Sequence, residues 1–97
     1  MTTYSISYDL SNPGRDYNNL ISKIKELGNG WCHASESFWF INSNLTCPQI
    51  RNALVKVIDS NDKLVVNSVG NNWATNGVSK EVNEWLRSNW QSACSVA

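Results

Sequence analysis

"YSISYD" (residues 4–9) decides the fold. Successive side chains of an extended segment point to opposite faces, so Tyr4, Ile6 and Tyr8 make one apolar face and Ser5, Ser7 and Asp9 a small, polar one. Such a strand belongs to a sheet with one face buried. Pro13-Gly14 stops it. Tyr17, Leu20, Ile21, Ile24 and Leu27 then recur at helical spacing, and Gly28 is a stop signal. This predicts a first helix over residues 15–27.

Working outward, "GWCHASESFWFINS" (residues 30–43) is aromatic and has no helical period. It reads as two short strands, 31–34 and 37–43, joined tightly at Ala34-Ser35-Glu36. Thr46-Cys47-Pro48-Gln49 is a capping box with proline in the first turn. Ile50, Ala53, Leu54, Val57 and Ile58 form the stripe of a second helix ending near Ile58, where Asp59-Ser60-Asn61-Asp62 is turn chemistry. "KLVVNSV" (residues 63–69) is a fourth strand. After a polar loop, Ser79 caps a last helix on which Val82, Trp85 and Leu86 share a face, with Trp90 one turn beyond. The tail after Gln91 is expected to fray.

The order is β-α-β-β-α-β plus a helix. It predicts an α+β, ferredoxin-like sandwich: two helices on one face of a four-stranded antiparallel sheet. The 97 residues make one domain, with a core over about residues 3–69 and an appended loop and helix over about 70–90. The other sheet face, with Ser5, Ser7 and Asp9, is expected to dimerise, to lie under the last helix or to bind a ligand.

Composition narrows the functions. Eight basic and eight acidic side chains cancel, which removes the broad electrostatic drive toward duplex nucleic acid, though a local patch could still hold phosphate. Neutral polar residues dominate instead, with 14 Asn and 13 Ser. No apolar run approaches the roughly 20 residues of a membrane span, and "MTTYSISYDL" does not read as a signal peptide. A cytoplasmic protein without a membrane partner is expected. Cys32, Cys47 and Cys94 lack metal-ligand spacing and read as free thiols.

Several pieces together carry a family resemblance: Tyr8-Asp9-Leu10, Pro13-Gly14, Asp16-Tyr17, Leu27-Gly28, Trp31, His33, Ser37, Trp39, Gln49, Asp59, Asp62-Lys63-Leu64, Trp73-Ala74, Gly77 and Trp85-Leu86. With them the chain resembles the small CRISPR-associated endoribonuclease and adaptation subunit family. It also resembles virulence-associated protein D, a toxin-like ribonuclease, and most of all the short proteins labelled SinR-family of bacteria and phages. The resemblance implies a ferredoxin-like homodimer. In the CRISPR-associated family, an aspartate ending the first strand meets its twin across the dimer and holds a divalent metal; Asp9 is the matching position.

Asp9 has two readings. Paired carboxylates become stable by sharing a proton or a hard cation, and Mg²⁺ needs only one or two of them plus a substrate phosphate. Equally, Asp before Ser-Asn-Pro-Gly opens a turn by accepting backbone hydrogen bonds. Five tryptophans in 97 residues suggest a second kind of site. Trp31, Trp39 and Trp73 could stack on a base, or fill the sheet–helix or dimer interface. His33, the one histidine, shares a face with Trp31 and could meet phosphate or move protons, or serve structure alone. Arg15 and Ser37 are candidate phosphate contacts. Three functions follow. The first is a homodimeric module binding a nucleotide or short RNA, which in a phage would sequester a nucleotide immune signal. The second is a Mg²⁺-dependent endoribonuclease using Asp9 of both chains, with Arg15 and His33 stabilising phosphate. The third is a protein–protein adaptor with no chemistry.

Overall fold

A computed structural model of the chain describes residues 1–11, 17–70 and 73–89. The elements are β1 (Thr2–Asp9), α1 (Asn18–Leu27), β2 (Gly30–Ser35), β3 (Phe38–Ser43), α2 (Cys47–Leu54), a 3₁₀ turn (Val55–Val57), β4 (Lys63–Ser68) and α3 (Lys80–Asn89). The strands form one antiparallel sheet in the order β2-β3-β1-β4. This α+β arrangement is compatible with a ferredoxin-like fold. The expected helix start at Arg15, the Pro13-Gly14 stop, Trp90, Cys94 and the tail lie outside the described residues.

The two faces of β1 behave as their alternation requires. Tyr4 lies opposite Ile41 and Ile6 opposite Trp39, and all four are buried with Leu20 and Ile24 of α1 and Ile50 and Leu54 of α2. Fully burying side chains of this kind contributes roughly 1.5–3 kcal/mol each, so this layer dominates stability.

Local signals explain where elements start and stop. Thr46 Oγ1 accepts from Gln49 N at 3.3 Å and Gln49 Oε1 accepts from Thr46 N at 2.9 Å, the reciprocal box read from the sequence. The α-helix ends at Leu54 and winds on as the tighter 3₁₀ turn, short of Ile58. Gly28 does end α1, but its backbone is extended (φ −99°, ψ 145°) and not left-handed. Glycine is needed there for space: a Cβ would sit 2.6 Å from Gly30 O and 2.9 Å from Ile41 Cβ. The α1 carbonyl of Leu27 accepts from Ser43 Oγ at 3.1 Å.

The opposite face is covered in part. Val82 and Leu86 of α3 bury Cys32 of β2, with Phe40, Val69, Trp73, Val78 and Trp85 packed around them. Ser79 Oγ accepts from Val82 N at 3.3 Å and caps this helix. Thr3 and Ser5 are buried on the same face, where Thr3 Oγ1 donates to Asn42 Oδ1 at 2.7 Å and Ser5 Oγ to Asn67 Oδ1 at 2.6 Å. The polar face of β1 thus pairs internally over its first half. Beyond α3, Asp9, Lys63 and Val65 stay exposed. No helix among the described residues is long and apolar enough to cross a membrane.

Candidate functional site

An aromatic platform forms on the α1/α2 face of the sheet at the β2 edge. Trp39, the second residue of β3, is 1% exposed, and its Nε1 donates to Tyr8 Oη at 3.0 Å. His33 is its cross-strand neighbour. The two rings lie 3.9 Å apart and 9° from parallel. His33 Nε2 is 3.2 Å from Glu36 O, a carbonyl that only accepts, so this hydrogen bond is made by the tautomer with its N–H at Nε2. His33 is therefore held by a stack and a hydrogen bond while its residue stays exposed. Trp31, two positions earlier on the same face, is 42% exposed and meets Trp39 at 5.6 Å and 55°. Lys25 Nζ of α1 lies 4.4 Å from the Trp31 ring centre, a cation–π contact worth about 0.5–1 kcal/mol at an exposed site.

Beside the platform is a hollow of about 400 Å³ at the C-terminal end of β1. Its apolar lining is Tyr8, Leu10, Tyr17 and Ile21; its polar lining is Asp9, Glu36 and Ser37. One atom joins hollow to platform: Glu36 O accepts from Tyr8 Oη at 3.3 Å as well as from His33 Nε2.

Asp62 fixes the far wall. Its Oδ1 accepts from Ser11 N at 2.8 Å and Ser11 Oγ at 2.9 Å, its Oδ2 accepts from Asp59 N at 2.8 Å, and Tyr17 Oη donates to the carboxylate at 3.2 Å. Desolvation pushes its pKa up, but the hydrogen bonds from Ser11, Asp59 and Tyr17 outweigh it and hold the carboxyl below its usual value. Asp62 thereby ties the segment after β1 and the start of α1 to the turn before β4.

The residues singled out from the sequence separate into groups. Trp31, His33 and Trp39 come together. Asp9 and Ser37 line the neighbouring hollow, Ser37 from the hairpin turn and not from β3. Trp73 lies on the other face of the sheet with α3. Arg15 lies outside the described residues. Trp39 is buried under His33, so it supports the platform and offers no open ring of its own. Cys32 and Cys47 are free thiols; burial pushes the Cys32 thiol up to about 11, which suits a core residue and not a nucleophile. Among the described residues no three His, Cys, Asp or Glu side chains converge as a metal site.

Sequence reading passed over Lys25, Glu36 as a backbone acceptor, and Tyr8, Tyr17 and Asp62 as site formers. The tyrosines carry apolar periodicity, which points to the core. A backbone carbonyl leaves no mark in sequence. Comparison with known proteins adds no family: no family model matches the chain, and no solved structure matches it.

Proposed function

We propose that the chain is a ferredoxin-like homodimeric module that binds a nucleotide or short oligonucleotide on the Trp31/His33 platform. The observation that carries this reading is the parallel stack of exposed His33 on buried Trp39 beside the open Trp31 ring. A rigid aromatic face loses little freedom on binding a flat partner, and each base–aromatic stack is worth roughly 1–3 kcal/mol. Lys25 at the Trp31 ring supplies a nearby cation for phosphate. The absence of net charge suits one small ligand better than a long polyanion. The resemblance to the CRISPR-associated and SinR-labelled proteins implies a dimer, and the strand order is compatible with it. The test is calorimetry or tryptophan quenching with mononucleotides, cyclic dinucleotides and short RNAs. Trp31→Ala and His33→Ala should each weaken binding about five- to hundredfold, the equivalent of one lost stack. Silence across the ligand panel, or indifference to both substitutions, defeats the reading.

One observation favours the endoribonuclease as a second reading. Asp9 is exposed at the strand end, and the Ser11 amide that a turn-opening Asp9 could have bound goes to Asp62. Two Asp9 carboxylates at a dimer axis would then be candidates for holding Mg²⁺. Labelled RNA cleaved only with Mg²⁺ by the wild type, and not by Asp9→Asn, would establish that activity.

A further inference from the structure

We infer that two copies of the chain join edge to edge through β4, antiparallel, into one continuous sheet. The inference rests on the homodimer of the reading above and gives it a geometry. An edge strand offers unpaired backbone N–H and C=O groups to any strand that reaches it. The sheet has two edges, β2 and β4. β2 is blunted, because its ladder shifts register between His33 and Ser35 and α3 packs against it. β4 pairs with β1 without a shift, contains no proline, and among the described residues has no strand on its outer side. Its backbone directions follow from two hydrogen bonds. Val69 N donates to Thr3 O at 3.0 Å, so Thr3, Ser5, Ser7 and Asp9 turn their backbone groups toward β4; Tyr8 N donates to Ser37 O at 3.1 Å, so the alternate residues turn theirs toward β3. The register then spends the backbone groups of Lys63, Val65 and Asn67 on β1 and directs those of Leu64 and Val66 outward.

The occupant of this edge is a second copy because the edge is its own complement in one register. With the two-fold axis at Val65, Val65 meets the partner's Val65 in a pair without hydrogen bonds, and Leu64 and the partner's Val66 exchange both backbone bonds on either side of it. Lys63 then lies opposite the neutral amide of the partner's Asn67. Charge and polarity reject the neighbouring registers. An axis at Lys63 opposes two like charges, an axis at Leu64 sets Val66 against Asp62, and an axis at Val66 sets Val65 against Asn67 and Lys63 against Val69. Apolar surface is exposed on both sides of the seam. Val65 is 57% exposed on one face. On the other, Leu64 and Val66 border a groove of about 270 Å³ with Cys47, Pro48 and Arg51 of α2, and Val55, four residues beyond Arg51, is 49% exposed. Edge pairing brings the two α2 helices along the same seam and covers both faces at once. The strand order becomes β2-β3-β1-β4-β4-β1-β3-β2, which leaves a Trp31/His33 platform open at each end, roughly 30 Å apart at ordinary strand spacing. Each dimer therefore takes two ligands independently.

The experiment introduces Val65→Cys into the full chain together with Cys47→Ser and Cys94→Ser. Edge pairing puts the two Cα atoms at residue 65 about 4.5 Å apart, within the roughly 4.4–6.8 Å that a disulfide spans. Two sheets stacked face to face stay about 10 Å apart, beyond its reach. Mild oxidation should therefore give a covalent dimer of Val65→Cys chains, and none of chains carrying only the two serine substitutions. A second pair of variants tests the register by light scattering over a dilution series. Asn67→Lys sets lysine against Lys63 twice by symmetry and should weaken the dimer roughly tenfold. Asn67→Asp keeps an acceptor for Ser5 Oγ, sets an acid opposite Lys63 and should strengthen it. Circular dichroism should be unchanged in every variant. A monomeric wild type, a dimer that Val65→Cys does not cross-link, or equal effects of Asn67→Lys and Asn67→Asp would each overturn the inference. Nucleotides that still bind in a Trp31-dependent way after such a result leave the platform reading standing. A cross-linked dimer that binds no nucleotide removes the platform reading and leaves the edge contact.

Discussion

Asp62 shows how a single carboxylate can organise the ground on which a site stands. It takes hydrogen bonds from Ser11, Asp59 and Tyr17, three residues separated by up to 48 positions in sequence. Those donors favour the charged form, so the folded-state pKa lies below the unfolded value of about 3.9. The sign of the linkage follows. Stability from this group is fully present above pH ~4 and is lost as pH falls through the depressed folded value. Asp62→Asn lacks that contribution at every pH. Its melting temperature should lie below the wild type's at pH 7, and the gap should close as pH falls below about 4. Thermal melts from pH 2 to 7 check this; a gap that stays constant across that range would show that the charge is immaterial. Sequence gave both Asp9 and Asp62 the same appearance, an acid in a turn. Which one serves the turn depends on where Ser11 and Tyr17 arrive in space, and no local pattern records that.

Elements were more legible than residues, for a physical reason. Periodicity reports burial, and burial is what holds α1 and α2 on the sheet. Ile50 and Leu54 were readable because both face one core. The Thr46 cap was readable because its partners lie three residues apart in the chain. Thr46→Ala should cost about 1 kcal/mol, within the usual 0.5–2 for a lost N-cap, as measured by urea unfolding. The hairpin was less legible. The ladder shifts register between His33 and Ser35, so the turn moves to Glu36-Ser37. That shift depends on cross-strand fit and not on turn composition. Gly28 is the instructive intermediate case. Its place was readable as a helix stop, yet its cause lies in the approach of Ile41 across the fold. Gly28→Ala should therefore destabilise by about 1–3 kcal/mol, the range for overpacking, because the atoms in its way are backbone and a branched Cβ. A gain in stability, as expected for a glycine at an unconstrained position, would show that the strand ends can move aside.

At the scale of the whole molecule, the two faces of the sheet divide the labour. The α1/α2 side holds the main core and carries the platform and hollow at its margins. The other side was expected to be covered, paired or bound, and α3 covers its β2 half. On the remaining half Val65 is 57% exposed, opposite Ser7 in register, with Lys63 opposite Asp9. An exposed valine flanked by one acid and one base is suited to a two-fold contact, in which the same patch serves both partners and each charge can meet its opposite. A dimer formed through this surface would carry the two Asp9 residues toward one axis. Light scattering should then report a dimer at micromolar protein. Val65→Asp should convert it to a monomer with an unchanged circular dichroism spectrum, because the substituted side chain lies outside both apolar clusters. A dimer indifferent to Val65→Asp would move the contact to another surface. A monomeric wild type would remove the paired Asp9 reading while leaving the platform and the hollow intact, since both are built within one chain.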